Sequence, residues 1–321
     1  MVHLNGMNVF VETENQSQTY ITKPFQIIEE VSFTRNVHIN GTRWIPNETP
    51  PKNGRPRILI APGFLGGEKD ELVISIARHL AKNSFEVFTF NYDHERWGSI
   101  AGNLLVIEVL LRHLADNKMK PTDPQTRIRA GLIGISYGGT LALLSCPNAS
   151  DLKTIIALGA LVNPYKILES PYFRQRMKQV SGKWLIGQRR KKLPQKFIHA
   201  FNSFKKNSIV RSLNQQDEQI ASQLYKPPND DIFMDVYENL MQPAVLIHTA
   251  ETEADVVPAD ESRQIFKNVK HGSLHILDHP PNMSGRDLHN FKTELRQPLL
   301  DLILLYAQSL VANNNVSVLQ K

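Results

Sequence analysis

Gly134-Ile135-Ser136-Tyr137-Gly138-Gly139 constrains this chain more than any other stretch of it. It follows RAGLI, an apolar run with the composition of a buried strand, and opens GTLALLSC, whose composition suits a helix. A chain that passes from strand to helix in so few residues must turn sharply. Glycines two before and two after the serine leave room for that turn, because a Cβ at either place would collide with it. The serine Oγ then projects above the sheet, and the amide end of the helix offers partial positive charge to a developing anion. Ser136 is the candidate nucleophile; the competing reading is a serine in an ordinary glycine turn.

The flanking pattern fits that turn. ILIA (58–61) is a short apolar run of the kind expected for a strand buried on both faces. Next come the helical spacing of ELVISIARHLAKN, the strand FEVFTFN and the helix AGNLLVIEVLLRHLADN, and LKTIIALGAL follows the serine's helix as another buried strand. The alternation stops near Pro164 and resumes with AVLIHTA, a helix near Pro258–Val269, the strand SLHIL and a long helix over Phe291–Leu310. Strands and helices in this alternation predict an α/β fold, a doubly wound and mostly parallel sheet. The core is expected over 23–164 and 233–311, interrupted after its sixth strand by a helical basic lid insertion at 165–232. A polar, flexible N-terminal arm (1–22), two short strands at FQIIEEVSF and the TRW region, and a C-terminal tail (312–321) complete the expectation.

Composition narrows the setting. Hydrophobic content of 41% and charged content of 21% are ordinary for a globular protein. The single cysteine, Cys146, excludes an internal disulfide framework and suits a reducing, cytoplasmic compartment. The N-terminus has neither the basic start nor the apolar run of a signal peptide. LLDLILLYA is too short to span a bilayer, so no transmembrane segment is expected. The net charge of +6 is unevenly spread: 12 Lys and Arg and no Asp or Glu fall between Arg174 and Arg211. The rest of the chain has 25 basic against 31 acidic residues. Such a run is either a solvated face or a patch for an anionic partner. No nucleic-acid module surrounds it, and nucleic acid is not expected as a partner.

Three further parts of a serine-centred site can be placed. Pro62-Gly63-Phe64-Leu65-Gly66-Gly67 directly follows ILIA, where backbone amides can face an oxyanion. The amides of Phe64 and Tyr137 are the candidate donors. Neither phosphate-loop spacing is present, and no cofactor or metal is expected. After AVLIHTA comes Glu251-Thr252-Glu253-Ala254-Asp255-Val256-Val257-Pro258, which offers Asp255 as the acid, with Glu251 and Glu253 as alternatives and a helix cap as the non-catalytic reading. The base belongs on the loop after SLHIL, which offers His289 first and His279 as the alternative. His271 and His275 read as structural or surface histidines.

Taken together, PGF after ILIA, the DHERWGS turn, GISYGG and DVVP resemble the landmarks of the α/β-hydrolase superfamily over roughly Phe25–Leu310. Within it, ETPPK, ILIAPGF, LAKNSFEVFTFNYD and TAETEADVV resemble the bacterial luciferase-operon acyl transferases, which release myristate from acyl carriers. That resemblance implies Ser136 as nucleophile and Asp255 as acid. It places the histidine in a His-Asp-Leu triplet that reads Arg286-Asp287-Leu288 here, which leaves His289, His279 or an incomplete triad. The implied activity is an acyl transferase or thioesterase on acyl thioesters, with an acidic acyl carrier protein or coenzyme A met by the basic lid 174–211. A carboxylesterase or lipase-like hydrolase of small esters, or a non-catalytic hydrolase-fold binding protein, are the alternatives.

Overall fold

The structure is a computed structural model that describes residues 19–32, 35–51, 54–64, 66–92, 100–115, 130–145, 152–164, 230–250, 257–280, 283 and 289–312. Eight strands form one sheet: β1 (Tyr20–Ser32), β2 (Arg35–Pro46), β3 (Arg57–Ala61), β4 (Glu86–Phe90), β5 (Ala130–Ile135), β6 (Leu152–Leu158), β7 (Ala244–Thr249) and β8 (Gly272–Leu277). Their order is β1-β2-β4-β3-β5-β6-β7-β8. From β4 to β8 every pairing is parallel, while β1 and β2 add an antiparallel edge. The helices are α1 (Glu71–Lys82), α2 (Ile100–Ala115), α3 (Tyr137–Ser145), α4 (Asp230–Glu238), α5 (Ala259–Asn268) and α6 (Arg296–Tyr306), the last prolonged by a π turn over Ala307–Ala312.

Side-chain alternation along the strands creates two cores. Leu59 of β3 and Leu132 of β5 face one layer, with Val106, Ile107 and Leu110 of α2, Leu141 of α3, Tyr237 of α4 and Ile265 of α5. Their neighbours Ile58, Ile60 and Ile133 face the other, where Leu72, Val73, Ile76 and Leu80 of α1 meet Leu299, Leu300 and Ile303 of α6. The sheet is therefore wound on both faces, as the alternation predicts. The apolar spacing of α1 is that of a helix resting one stripe on a sheet.

Two details differ from the sequence expectation. The edge hairpin is longer than two short strands, and β1 begins at Tyr20, inside the stretch expected as an arm. Tyr20, Ile21 and Thr22 pair with Pro46, Ile45 and Trp44, and the Tyr20 ring packs on Trp44 at 5.6 Å. Aromatic and β-branched residues favour the pleated surface even in a polar context. Likewise α4 begins at Asp230, before the expected end of the insertion at 232. Of that insertion, 165–229 lie outside the described residues, as do the DHERWGS turn, most of the arm and the tail.

At the other end of the sheet from the serine, one buried carboxylate joins three adjacent strands. Glu86 of β4 pairs with Arg43 of β2 and, at 3.1 Å, with Arg57 of β3. The Arg57 guanidinium also donates to the Leu114 carbonyl at 2.8 Å, tying α2 to the same point. Removing a carboxylate from such a group leaves uncompensated cations among apolar neighbours. Glu86→Ala is expected to lower unfolding free energy by roughly 3 kcal/mol, read as a lower urea midpoint with unchanged slope.

Candidate active site

Ser136 occupies the turn between β5 and α3 with φ of 54°, a left-handed conformation unusual for a residue with a Cβ. Its N–H donates to the Leu158 carbonyl at 2.6 Å, and its own carbonyl accepts from the Gly139 and Thr140 amides at 2.8 and 3.2 Å. These bonds hold the strained backbone in place. The glycines are sterically required. A Cβ on Gly134 would stand 2.3 Å from the Gly138 carbonyl oxygen, and one on Gly138 would stand 2.3 Å from the Pro62 oxygen.

The loop after β3 crosses directly over this turn. A Cβ on Gly63 would lie 3.7 Å from the Ser136 Cβ. The loop is fixed by its own bonds: the Gly66 amide donates to Gly63 at 2.9 Å and the Gly67 amide to the Asp70 carboxylate at 3.1 Å. Asn91, just beyond β4, accepts from the Glu68 amide at 3.1 Å. Phe64 meets the Tyr137 ring edge-on at 5.5 Å, and the Tyr137 hydroxyl accepts from Asn103 of α2 at 3.0 Å. Phe64 and Tyr137 are thus brought together beside Ser136. As the first residue of α3, Tyr137 carries an N–H with no acceptor inside the helix.

Parallel register decides what stands next to the serine. Ile135 of β5 pairs with Leu158 of β6, and Leu158 pairs with Ile247 of β7. The residues that follow, Ser136, Gly159 and His248, therefore lie in a row across three neighbouring strands. His289 rests on the middle one: its Cε1 and Nδ1 are each 3.4 Å from where a Gly159 Cβ would be. Gly159 has φ of 56°. The ring fills the place a side chain would take, one strand away from Ser136 (about 5 Å between parallel strands). No hydrogen bond joins Ser136 to either His289 or His279; such bonds are often long before substrate binds. Burial pushes the His289 imidazole down to about 4, with His248 adding to the effect, so the ring is neutral near pH 7.

His279 stands elsewhere. It follows β8, three strands from β5, and its Nδ1 lies 2.8 Å from the Pro280 carbonyl. His275 of β8 bonds the Tyr306 hydroxyl at 2.7 Å, a structural partnership. Asp255, Glu251 and Glu253 lie outside the described residues, but both flanks of their segment are held. The Ala250 amide donates to Leu277 at 2.8 Å, and the Val257 carbonyl is 2.9 Å from His248 Nε2.

Sequence reasoning passes over two residues that shape the site. Arg296, at the start of α6, donates to the carbonyls of Phe291 and Asn290 at 2.8 and 3.2 Å and to the Ser75 hydroxyl at 2.6 Å. It thereby ties α1 to the turn after His289, where Phe291 and Thr293 both have positive φ. His248 is the other. A histidine directly after the apolar run AVLI of β7 is a legible signal, since a buried imidazole must find partners. Among the described residues no group of acidic, histidine and cysteine side chains could hold a metal ion, and no helix is long and apolar enough to cross a membrane.

No family model and no curated protein matches this chain. Solved structures do. The Pyrococcus furiosus esterase Pf2001 superposes with a TM-score of 0.59 at 14% identity, covering 96% of this chain and 98% of the esterase. Est1E from Butyrivibrio proteoclasticus gives 0.53 at 14% identity over 89% and 99%, and dienelactone hydrolase from Anabaena variabilis 0.52 at 12% over 90% and 99%. The sheet order, the crossing loop and these superpositions together identify the architecture: the chain has the α/β-hydrolase fold.

Proposed function

We propose that this protein is a serine hydrolase that cleaves ester or thioester carbonyls through an acyl-serine intermediate at Ser136. The observation that carries the reading is the strained serine turn with a neutral imidazole, His289, seated one strand away over Gly159. In the proposed cycle Ser136 Oγ attacks the substrate carbonyl carbon while its proton passes to His289. The Phe64 and Tyr137 amides hold the resulting oxyanion. The protonated imidazole gives its proton to the departing alcohol or thiol, which leaves the acyl group on Ser136. Water, deprotonated by the same histidine, then releases the acid; another acceptor in its place makes the reaction an acyl transfer. Asp255 orients the imidazole in this scheme. His289 is preferred to His279 because its strand position is nearer Ser136.

Within this class, two substrates compete. Pf2001 is an esterase, which supports hydrolysis of simple esters. The basic run 174–211 favours an anionic acyl thioester, such as one borne by an acidic carrier protein or coenzyme A. The two described flanks of the insertion, ending at Pro164 and resuming at α4, meet each other: Asn163 donates to Asp230 at 3.3 Å.

Three measurements test these assignments. A fluorophosphonate probe should label Ser136 covalently, and Ser136→Ala should abolish labelling and cut kcat by about a thousandfold or more; folded protein that resists the probe is no serine hydrolase. His289→Gln should lower kcat by about a hundredfold or more, while His279→Gln stays near wild type. Because His289 binds its proton only near pH 4 in the folded protein, the acid limb of kcat/KM should fall below pH 6.5. Folding stability obeys the same sign. The unfolded chain takes up this proton first, so stability is full above about pH 6.5 and declines towards pH 4, more shallowly in His289→Gln. Finally, kcat/KM for a carrier-bound thioester should drop on the order of tenfold from low to high salt, with little change for a neutral aryl ester; equal salt responses would favour the simple esterase.

A further inference from the structure

His248 is buried at the C-terminal end of β7, with 2% of its surface exposed, in a position where an aliphatic residue would pack at no polar cost. Both ring nitrogens are engaged. Nε2 lies 2.9 Å from the Val257 carbonyl, which can only accept, so Nε2 carries the proton. Nδ1, 2.8 Å from the Ser262 hydroxyl, accepts from it in the neutral ring. Ser262 is fully buried on α5, and Val257 immediately follows the segment that bears Asp255. The two bonds thus fasten the entry to α5 onto the end of β7.

The same ring also reaches the serine side of the site. His248 Cε1 is 3.9 Å from the point a Gly159 Cβ would occupy, and His289 is 3.4 Å from that point. Both imidazoles therefore lie on the side-chain face of Gly159, packed around one vacant Cβ position. We propose that His248 is a positioning residue for the Ser136 site, fixing Val257 and Ser262 while bounding the space in which the His289 ring sits. This rests on the serine-hydrolase reading above. His248 touches no reacting atom. Its effect is on where the acid-bearing segment ends and how far His289 can swing. Burial alone would be met by leucine; the bonds to Val257 and Ser262 would not.

The test compares His248→Leu with His248→Gln in the full chain, measuring kcat and KM for an aryl ester, fluorophosphonate labelling of Ser136 and the unfolding midpoint. His248→Leu should lose about tenfold or more in kcat and labelling rate with KM within about twofold, the scale of a small misplacement of catalytic groups. Glutamine, whose side-chain amide can still donate to Val257, should regain at least about a third of wild-type kcat. The inference fails if His248→Leu stays within about twofold of wild type, or if glutamine is as slow as leucine. Should His248→Leu not fold, His248→Asn, too short to reach Val257, replaces it under the same criteria. Wild-type protein that takes no label refutes the hydrolase reading instead. In that case amide exchange at 257–262 still decides the anchoring: faster by about tenfold in His248→Leu if the ring holds this segment, unchanged if it does not.

Discussion

The serine turn and the loop after β3 approach each other backbone to backbone, and the site depends on that contact. β3 and β5 are neighbours, with Ala61 opposite Gly134. Beyond that pair the two chains must separate within a few residues, one into a loop and one into α3. They do so by crossing in contact, with the Ala61 and Pro62 carbonyls at 2.4 and 2.3 Å from where a Gly138 Cβ would stand. No side chain larger than hydrogen fits. The same contact that forbids a Cβ places Gly63 against Ser136 and brings Phe64 to Tyr137. Once that crossing is set, the Phe64–Tyr137 pair and Ser136 are held by backbone rather than by flexible side chains. Preorganisation of this kind costs no rearrangement when charge develops.

Parallel pairing supplies the second constraint. Strands in level register end at one height, so whatever follows each of them gathers on one edge of the sheet. Here that edge carries a serine, a glycine and a histidine in sequence across three strands, with His289 lowered onto the glycine. Two polar groups, Ser136 and His248, flank a ring made neutral by burial. A neutral imidazole is the form that can accept a proton. The turn that delivers it is unusual in having two left-handed residues, Phe291 and Thr293, and the Arg296 guanidinium binds the carbonyls on the near side of that strain. The arginine also bonds Ser75 on α1, the helix that begins where the crossing loop ends. The turn after His289 and the helix that follows the crossing loop are thus braced by a common residue.

Much of this was legible in the residues alone because the informative signals are short-range. Short continuous apolar runs and period-3.6 spacing locate β3 to β8 and the helices around them, and the glycines around Ser136 record a collision between near neighbours. The edge hairpin was harder. β1 is an edge strand with Ile21 and Ile28 exposed on opposite faces, and its polar neighbours obscure the alternation of a strand that begins at Tyr20. The choice between His289 and His279 was out of reach for a different reason. Loop sequence does not say over which strand the chain returns; the His289 ring rests on Gly159, just past the end of β6 and far from the loop in sequence. His248 is legible as a polar residue beside an apolar run, but its partners Val257 and Ser262 are set by the fold.

The chain that leaves β6 beside Ser136 is gripped by side chains of three helices. The departing end is held firmly. The Thr140 hydroxyl of α3 donates to the Leu161 carbonyl at 3.0 Å and accepts from its amide at 2.9 Å. Glu261 of α5 accepts from the Val162 amide at 2.8 Å, and the Tyr237 hydroxyl of α4 donates to the Val162 carbonyl at 2.7 Å. Burial, with Glu261 and Asp230 nearby, pushes the Tyr237 phenol well above its usual range, so it remains a neutral donor. Three helices therefore grip two consecutive residues, within four positions of the glycine that seats His289. This clasp fixes the backbone immediately beyond Gly159, and with it the surface on which the His289 ring rests.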